Sequence, residues 1–149
     1  MHMQGEPRTM QVDPSYTDVV AEVCEFLAKR AEEAEAAGVA EVWIDPGIGF
    51  GKSLEHNLVL LRHLDSLVAT GRPVVVGTSR KSFLGRLVRG PLNAGPPAPV
   101  EDRLEGSLAT AVWAVHLGAA MVRVHDVAPT VQAVRLAGAR IEAAPKVGS

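Results

Sequence analysis

The sequence predicts a single α/β domain in which parallel strands are joined by helices. Helical and strand patterns alternate along the chain, and alternation of this kind means parallel strands with helical crossovers. Each apolar strand also ends in a polar cluster: Asp45, then residues 78–82, then residues 123–126. Parallel strands bring their C-terminal ends to one rim, where ligands of α/β proteins bind, so the three clusters are expected to converge. Composition agrees: 149 residues, 47% hydrophobic, 21% charged and a net charge of -2 suit one soluble domain.

The elements follow in order. Residues 1–5 form a short rim segment, and a polar, proline-containing stretch leads to Pro14. Ser15 or Thr17 is placed to cap a first helix running to about Ala37, with Val19, Val20, Val23, Phe26 and Leu27 on its apolar face and Gly38 as its stop. Residues 41–45 read as a strand. A second helix starts near Ser53, with Leu54, Leu58, Leu61, Leu64 and Val68 on one face, and Gly71 ends it. Residues 73–77 are a second buried strand, and residues 78–84 a polar turn entering a short helix. Residues 89–100, rich in proline, read as a long exposed loop. A third helix is expected over 102–117, with Leu104, Leu108, Ala111, Val112 and Val115 inward. A third strand at 121–125 and a last helix from near Pro129 follow, and the tail from residue 142 on is expected to be loose.

Several functions are disfavoured at once. No long apolar run suggests a membrane span, and no charged-then-apolar leader suggests secretion, so a cytoplasmic protein is expected. Cys24 is the only cysteine, which excludes an internal disulfide or a multi-cysteine metal site, and it reads as core filling. The five histidines show no metal-ligand spacing. His56, His63 and His116 fall within helices and read as structural. The mild acidity argues against non-specific nucleic-acid binding.

The stretch Ile44-Asp-Pro-Gly-Ile-Gly-Phe-Gly-Lys-Ser53 resembles half a P-loop, but Pro46 stands where the first glycine belongs and has no N–H for a phosphate. Asp45 either caps the following turn or accepts paired hydrogen bonds from an amidine-like ring edge; on chemistry alone the two stand level. Gly47, Gly49 and Gly51 permit tight turning and close approach of a ligand, with Phe50 as an apolar wall. Thr78, Ser79, Arg80, Lys81 and Ser82 gather hydroxyls and two cations where a helix begins, which suits an anion. Arg123 and His125 alternate with valines, so they share one strand face. They read as phosphate ligands, against an internal ion pair of Arg123 with Glu105 or Asp126. His2, on the first rim segment, is a lesser candidate.

These motifs together resemble dihydropteroate synthase. The residues are Asp45-Pro-Gly-Ile-Gly-Phe-Gly-Lys52, Thr78-Ser-Arg-Lys-Ser-Phe83 and Arg123-Val-His-Asp126, with Met1-His-Met-Gln-Gly5 matching the end of that family's fifth strand. The resemblance runs to about Ile141. It implies the C-terminal half of a TIM (β/α)8 barrel, from the end of strand five to strand eight, spanning 1–149. It also implies condensation of 4-aminobenzoate with a pterin methyl diphosphate in folate synthesis, with Mg2+ as cofactor and its protein ligand in the other half. By the same resemblance Asp45 grips the pterin's amino-pyrimidine edge and Lys81 its ring. Arg123 and His125 hold the diphosphate, and Ser82 and Phe50 hold the aminobenzoate, where sulfonamides compete. Gly49 lines the pocket and Met1 touches the pterin. The full-length family is typically a homodimer. The alternatives are a pterin-binding half-barrel without turnover, and a methyltetrahydrofolate-dependent methyltransferase-like pterin domain.

Overall fold

A computed structural model describes residues 1–89 and 95–138. Helix α1 spans Val19–Ala36, α2 Leu54–Arg62, α3 Leu64–Val68, α4 Ser82–Arg89, α5 Leu104–His116 and α6 Val127–Gly138; a 3-10 turn, Val100–Arg103, leads into α5, and strands β1 (Val75–Val76) and β2 (Met121–Val122) complete the order. The fold is mixed α/β, as expected. Among the described residues no helix is long and apolar enough to cross a membrane.

Three parallel segments lie side by side in chain order, with residues 1–5 tied alongside the first. His2 donates its N–H to the Asp45 carbonyl, Ile44 bridges Val74, and β1 pairs with β2 in the register Val75 to Met121. Sequential order is how a barrel wall is wound; a doubly wound sheet reverses its order midway. The ladders are shorter than the five-residue strands read from the sequence, because neighbouring segments overlap over only two or three residues.

Side chains alternate across this sheet. Ile44, Val74 and Val76 are buried and join a core with Val19, Val23 and Leu27 of α1, Leu60, Leu61, Leu64 and Leu67 of α2 and α3, and Ala114 of α5. On the opposite face Trp43 is 40% and Met121 48% exposed. The strands are therefore not buried on both faces; helices cover one face only, among the described residues.

Local details correct the sequence reading. Asp18, not Ser15 or Thr17, caps α1: its carboxylate accepts from Val20 and Ala21 N–H, and Glu22 reaches back to the N–H of Thr17 and Asp18. Ser53 does cap α2. The expected second helix breaks at His63, whose φ of -108 and ψ of 34 are not helical. The break turns the inward face to Leu60, Leu61, Leu64 and Leu67 and leaves Leu58 exposed. In α5 the buried residues are Ser107, Ala111 and Ala114. Small side chains there let the helix approach the sheet, so Leu104, Leu108, Val112 and Val115 are only half-buried. The proline-rich loop is not wholly exposed, since Ala98 is buried and donates to the Gly85 carbonyl. Residues 90–94 and the expected loose tail at 142–149 lie outside the described residues.

Candidate functional site

The glycine loop after Asp45 is built around the chain's own first segment. Gly47, Gly49 and Gly51 have φ of +66, +83 and +60, a region that disfavours any Cβ. A Cβ on Gly47 would lie 1.8 Å from the His2 carbonyl oxygen, and one on Gly51 would lie 2.4 Å from that of Gln4. The close approach at these two positions is thus to residues 1–4, where the sequence suggested a ligand. Gly49 instead faces Lys81, whose Cδ would be 3.0 Å from an added Cβ.

Lys52 braces this loop from inside. It is 3% exposed, and its ammonium donates to the carbonyls of Gly47 (3.1 Å) and Phe50 (3.0 Å) and to His2 Nδ1 (2.9 Å). Burial pushes Lys52 down to about 8, with the Asp45 carboxylate opposing. Burial and then the Lys52 charge push His2 down to about 4, so a neutral imidazole accepts from the lysine. Asn57 adds a second brace, accepting from Gly49 N–H (2.6 Å) and donating to the Ser53 carbonyl (2.7 Å). Neither brace was anticipated. Lys52 stands in the sequence as part of a half nucleotide motif and of the Asp45–Lys52 motif, and its ammonium faces protein carbonyls and His2.

Asp45 is half-buried at the strand end, and its Oδ1 accepts from Gly47 N–H at 2.7 Å. That is the turn-capping contact, and it also fixes the plane of the carboxylate. Lys81 lies between Asp45 and Arg123 in charge. Burial lowers it to about 8, Asp45 opposes this, and Arg123 adds to it. Its ammonium donates to the Ile48 carbonyl and sits 4.4 Å from the centre of the Phe50 ring.

The turn at 78–82 is tied to the last strand end. Ser79 is buried; its Oγ accepts from His125 N–H (3.2 Å) and lies 3.0 Å from His125 Nδ1. Arg80 makes a forked pair with Asp126 at 3.0 and 2.5 Å. This overturns the expected alternative in which Asp126 paired with Arg123. The Arg123 guanidinium lies beside Gly77, 3.4 Å from where a Cβ would be, and both Arg123 and His125 are exposed at the rim.

Two clefts result. One, of about 420 Å³, is lined by Gly77, Ser79, Arg80, Lys81, Val100, Arg123 and His125. A second, of about 340 Å³, includes Gly49, Lys52, Asn57, Ser82 and Arg86. Lys81 borders the first cleft and packs on Gly49 of the second. Met1 is 59% exposed and approaches Gly47. Asp45, Lys81, Arg123 and His125 therefore share one rim, while Ser82 faces the neighbouring cleft.

Residues 1–125 match the family described as pterin binding enzyme. The chain belongs to the pterin-binding enzyme family. It is 48% identical over 141 residues to dihydropteroate synthase of Neisseria meningitidis serogroup B, covering 91% of this chain and 47% of that protein. Two structures of dihydropteroate synthase from Thermus thermophilus each align at 45% identity. The complex with 4-aminobenzoate gives a TM-score of 0.80, over 89% of this chain and 51% of that one. The complex with 6HMPPP gives 0.82, over 91% and 52%. The Yersinia pestis enzyme with a sulfonamide drug aligns at 42% identity with a TM-score of 0.83, over 91% and 47%. The chain spans about half the length of the relatives it matches.

Proposed function

We propose that this chain supplies the pterin- and diphosphate-binding half of a dihydropteroate synthase. In this reading it is the C-terminal half of an eight-stranded barrel, and the enzyme joins 4-aminobenzoate to (7,8-dihydropterin-6-yl)methyl diphosphate. The observation that carries it is the arrangement of one carboxylate, Asp45, and three cationic or imidazole groups, Lys81, Arg123 and His125, on adjacent parallel strand ends. The complexes of relatives with 4-aminobenzoate and 6HMPPP support the substrate pair.

The chemistry needs these groups. The carboxylate of Asp45, already oriented by Gly47 N–H, accepts two N–H bonds from the amino-pyrimidine edge. Lys81 donates to the ring. The carbon–oxygen bond to the diphosphate breaks, and the pterin ring delocalises the positive charge left on its methylene carbon. Arg123 and His125 stabilise the negative charge gathering on the departing diphosphate. The amine of 4-aminobenzoate, held by Ser82 and Phe50, forms the new carbon–nitrogen bond and then loses a proton to water. A neutral aromatic amine needs no strong base, so rate comes from electrostatics and from holding the amine near the carbon.

Bound Mg2+ would neutralise charge on the diphosphate. Among the described residues no three His, Cys, Asp or Glu side chains converge on a metal position; in this reading the protein ligand of Mg2+ belongs to the other half of the barrel. A pterin-binding half without turnover is the second reading, in which the same rim groups bind the ligand.

Calorimetry with the pterin methyl diphosphate, followed by a diphosphate-release assay with 4-aminobenzoate and Mg2+, tests the proposal. Binding that is lost in Lys81→Ala is the expected result. A folded chain that binds no pterin overturns both readings; binding without release leaves the second.

A further inference from the structure

Arg80 has φ +59, a left-handed backbone unfavourable for a residue with a Cβ. Two side chains at the start of α5 hold its peptide groups. Ser107 Oγ accepts from Arg80 N–H at 3.0 Å, and Arg103 Nη1 donates to the Arg80 carbonyl at 2.8 Å. Arg103 is buried, and its Nε and Nη2 both donate to the Ala98 carbonyl, at 2.8 and 2.6 Å. Gly85 makes room for this fork, because a Cβ there would lie 2.7 Å from Arg103 Nε. With its backbone held so, Arg80 reaches Asp126 on the last strand end, while Lys81 reaches Ile48 and Phe50 in the glycine loop.

We propose that Arg103 is a positioning residue for the anion site, with the Arg80–Asp126 pair as the lock it sets. Arg103 and Ser107 hold the strained peptide, and Arg80 then ties residues 78–82 to residues 123–126. Ser79, Lys81, Arg123 and His125 thereby keep the spacing that a diphosphate requires. Arg80 is a strut whose charge Asp126 takes up. The ligand in this inference rests on the diphosphate reading above; the clamp rests on the geometry alone.

The test compares the 149-residue chain with Arg103→Met and Asp126→Asn by amide hydrogen exchange and by calorimetry with inorganic pyrophosphate. In both variants exchange at residues 80–82 is expected to quicken by about tenfold and pyrophosphate to bind about tenfold more weakly. Asp126→Asn is the discriminating variant, and it decides alone if Arg103→Met does not fold. Removing a carboxylate beside an anion site strengthens anion binding when charge alone matters. Equal or tighter pyrophosphate binding in Asp126→Asn overturns the proposal, as does unchanged exchange at residues 80–82. Wild-type chain that binds no pyrophosphate overturns the diphosphate reading instead, and the exchange comparison still decides the clamp.

Discussion

Lys81 and His2 each carry a pH dependence with a definite sign. Burial lowers Lys81 to about 8, so its ammonium is lost as pH rises through about 8. Affinity for the pterin methyl diphosphate should fall over that range. A Lys81→Met variant should bind about ten- to a hundredfold more weakly and show a flatter profile, as for a lost charge-assisted bond. Titration calorimetry from about pH 6.5 to about pH 9.5 reads both effects. His2 is lowered from 6.5 to about 4, so the folded state rejects a proton that the unfolded chain accepts. Stability is whole above pH 6.5 and declines as pH falls towards 4, because folding disfavours the charged imidazole. Urea unfolding at about pH 7 and about pH 4.5 should show a smaller loss in His2→Gln than in wild type. The named chemistry at this scale was legible because charged side chains at strand ends stand out. The bracing by Lys52 and Asn57 was not, since it depends on how the glycine loop folds back over residues 52–57 and, for one Lys52 contact, over His2.

The glycine loop shows how one element constrains another. Gly47→Ala places a Cβ 1.8 Å from the His2 carbonyl at φ +66, whereas Gly71→Ala, at φ +78, meets nothing within 4 Å. The first should cost more than about 3 kcal/mol and the second about 1 kcal/mol, a contrast that thermal or urea denaturation would reveal. Equal costs would mean that residues 1–4 do not pack on this loop. The order of the helices could be read from periodicity and glycine stops, although Asp18 caps α1 in place of Ser15 or Thr17 and the second expected helix is two. Their inward faces were less legible: His63 turns α3 away from α2, and α5 meets the sheet through Ser107, Ala111 and Ala114 in place of its larger residues.

Over the described residues as a whole, the sheet face opposite the helices is the open one. Trp43 and Met121 lie on it, exposed, beneath a polar layer holding Asp45 and Arg123. In a closed barrel that layer would be interior. Replacing both residues with Gln should leave the melting temperature of this chain within a few degrees, because neither side chain is buried in it. The same pair should lower binding of a hydrophobic dye. A large loss of stability would place these side chains in a packed core and contradict the proposed half-barrel.

The sequence by itself determined the alternation of helix and strand, the rim to which the strand ends point, and the residue types gathered there. Those follow from local periodicity, from the two-residue repeat of strands and from clustered charges. Only the tertiary structure decided which charges face one another. Asp126 takes Arg80 and leaves Arg123 to the cleft, Lys52 turns inward while Lys81 borders the cleft, and among the described residues one sheet face stays uncovered. Such pairings join residues as far as 50 positions apart, as between His2 and Lys52. They depend on how the helices seat the strands, and local spacing does not encode that.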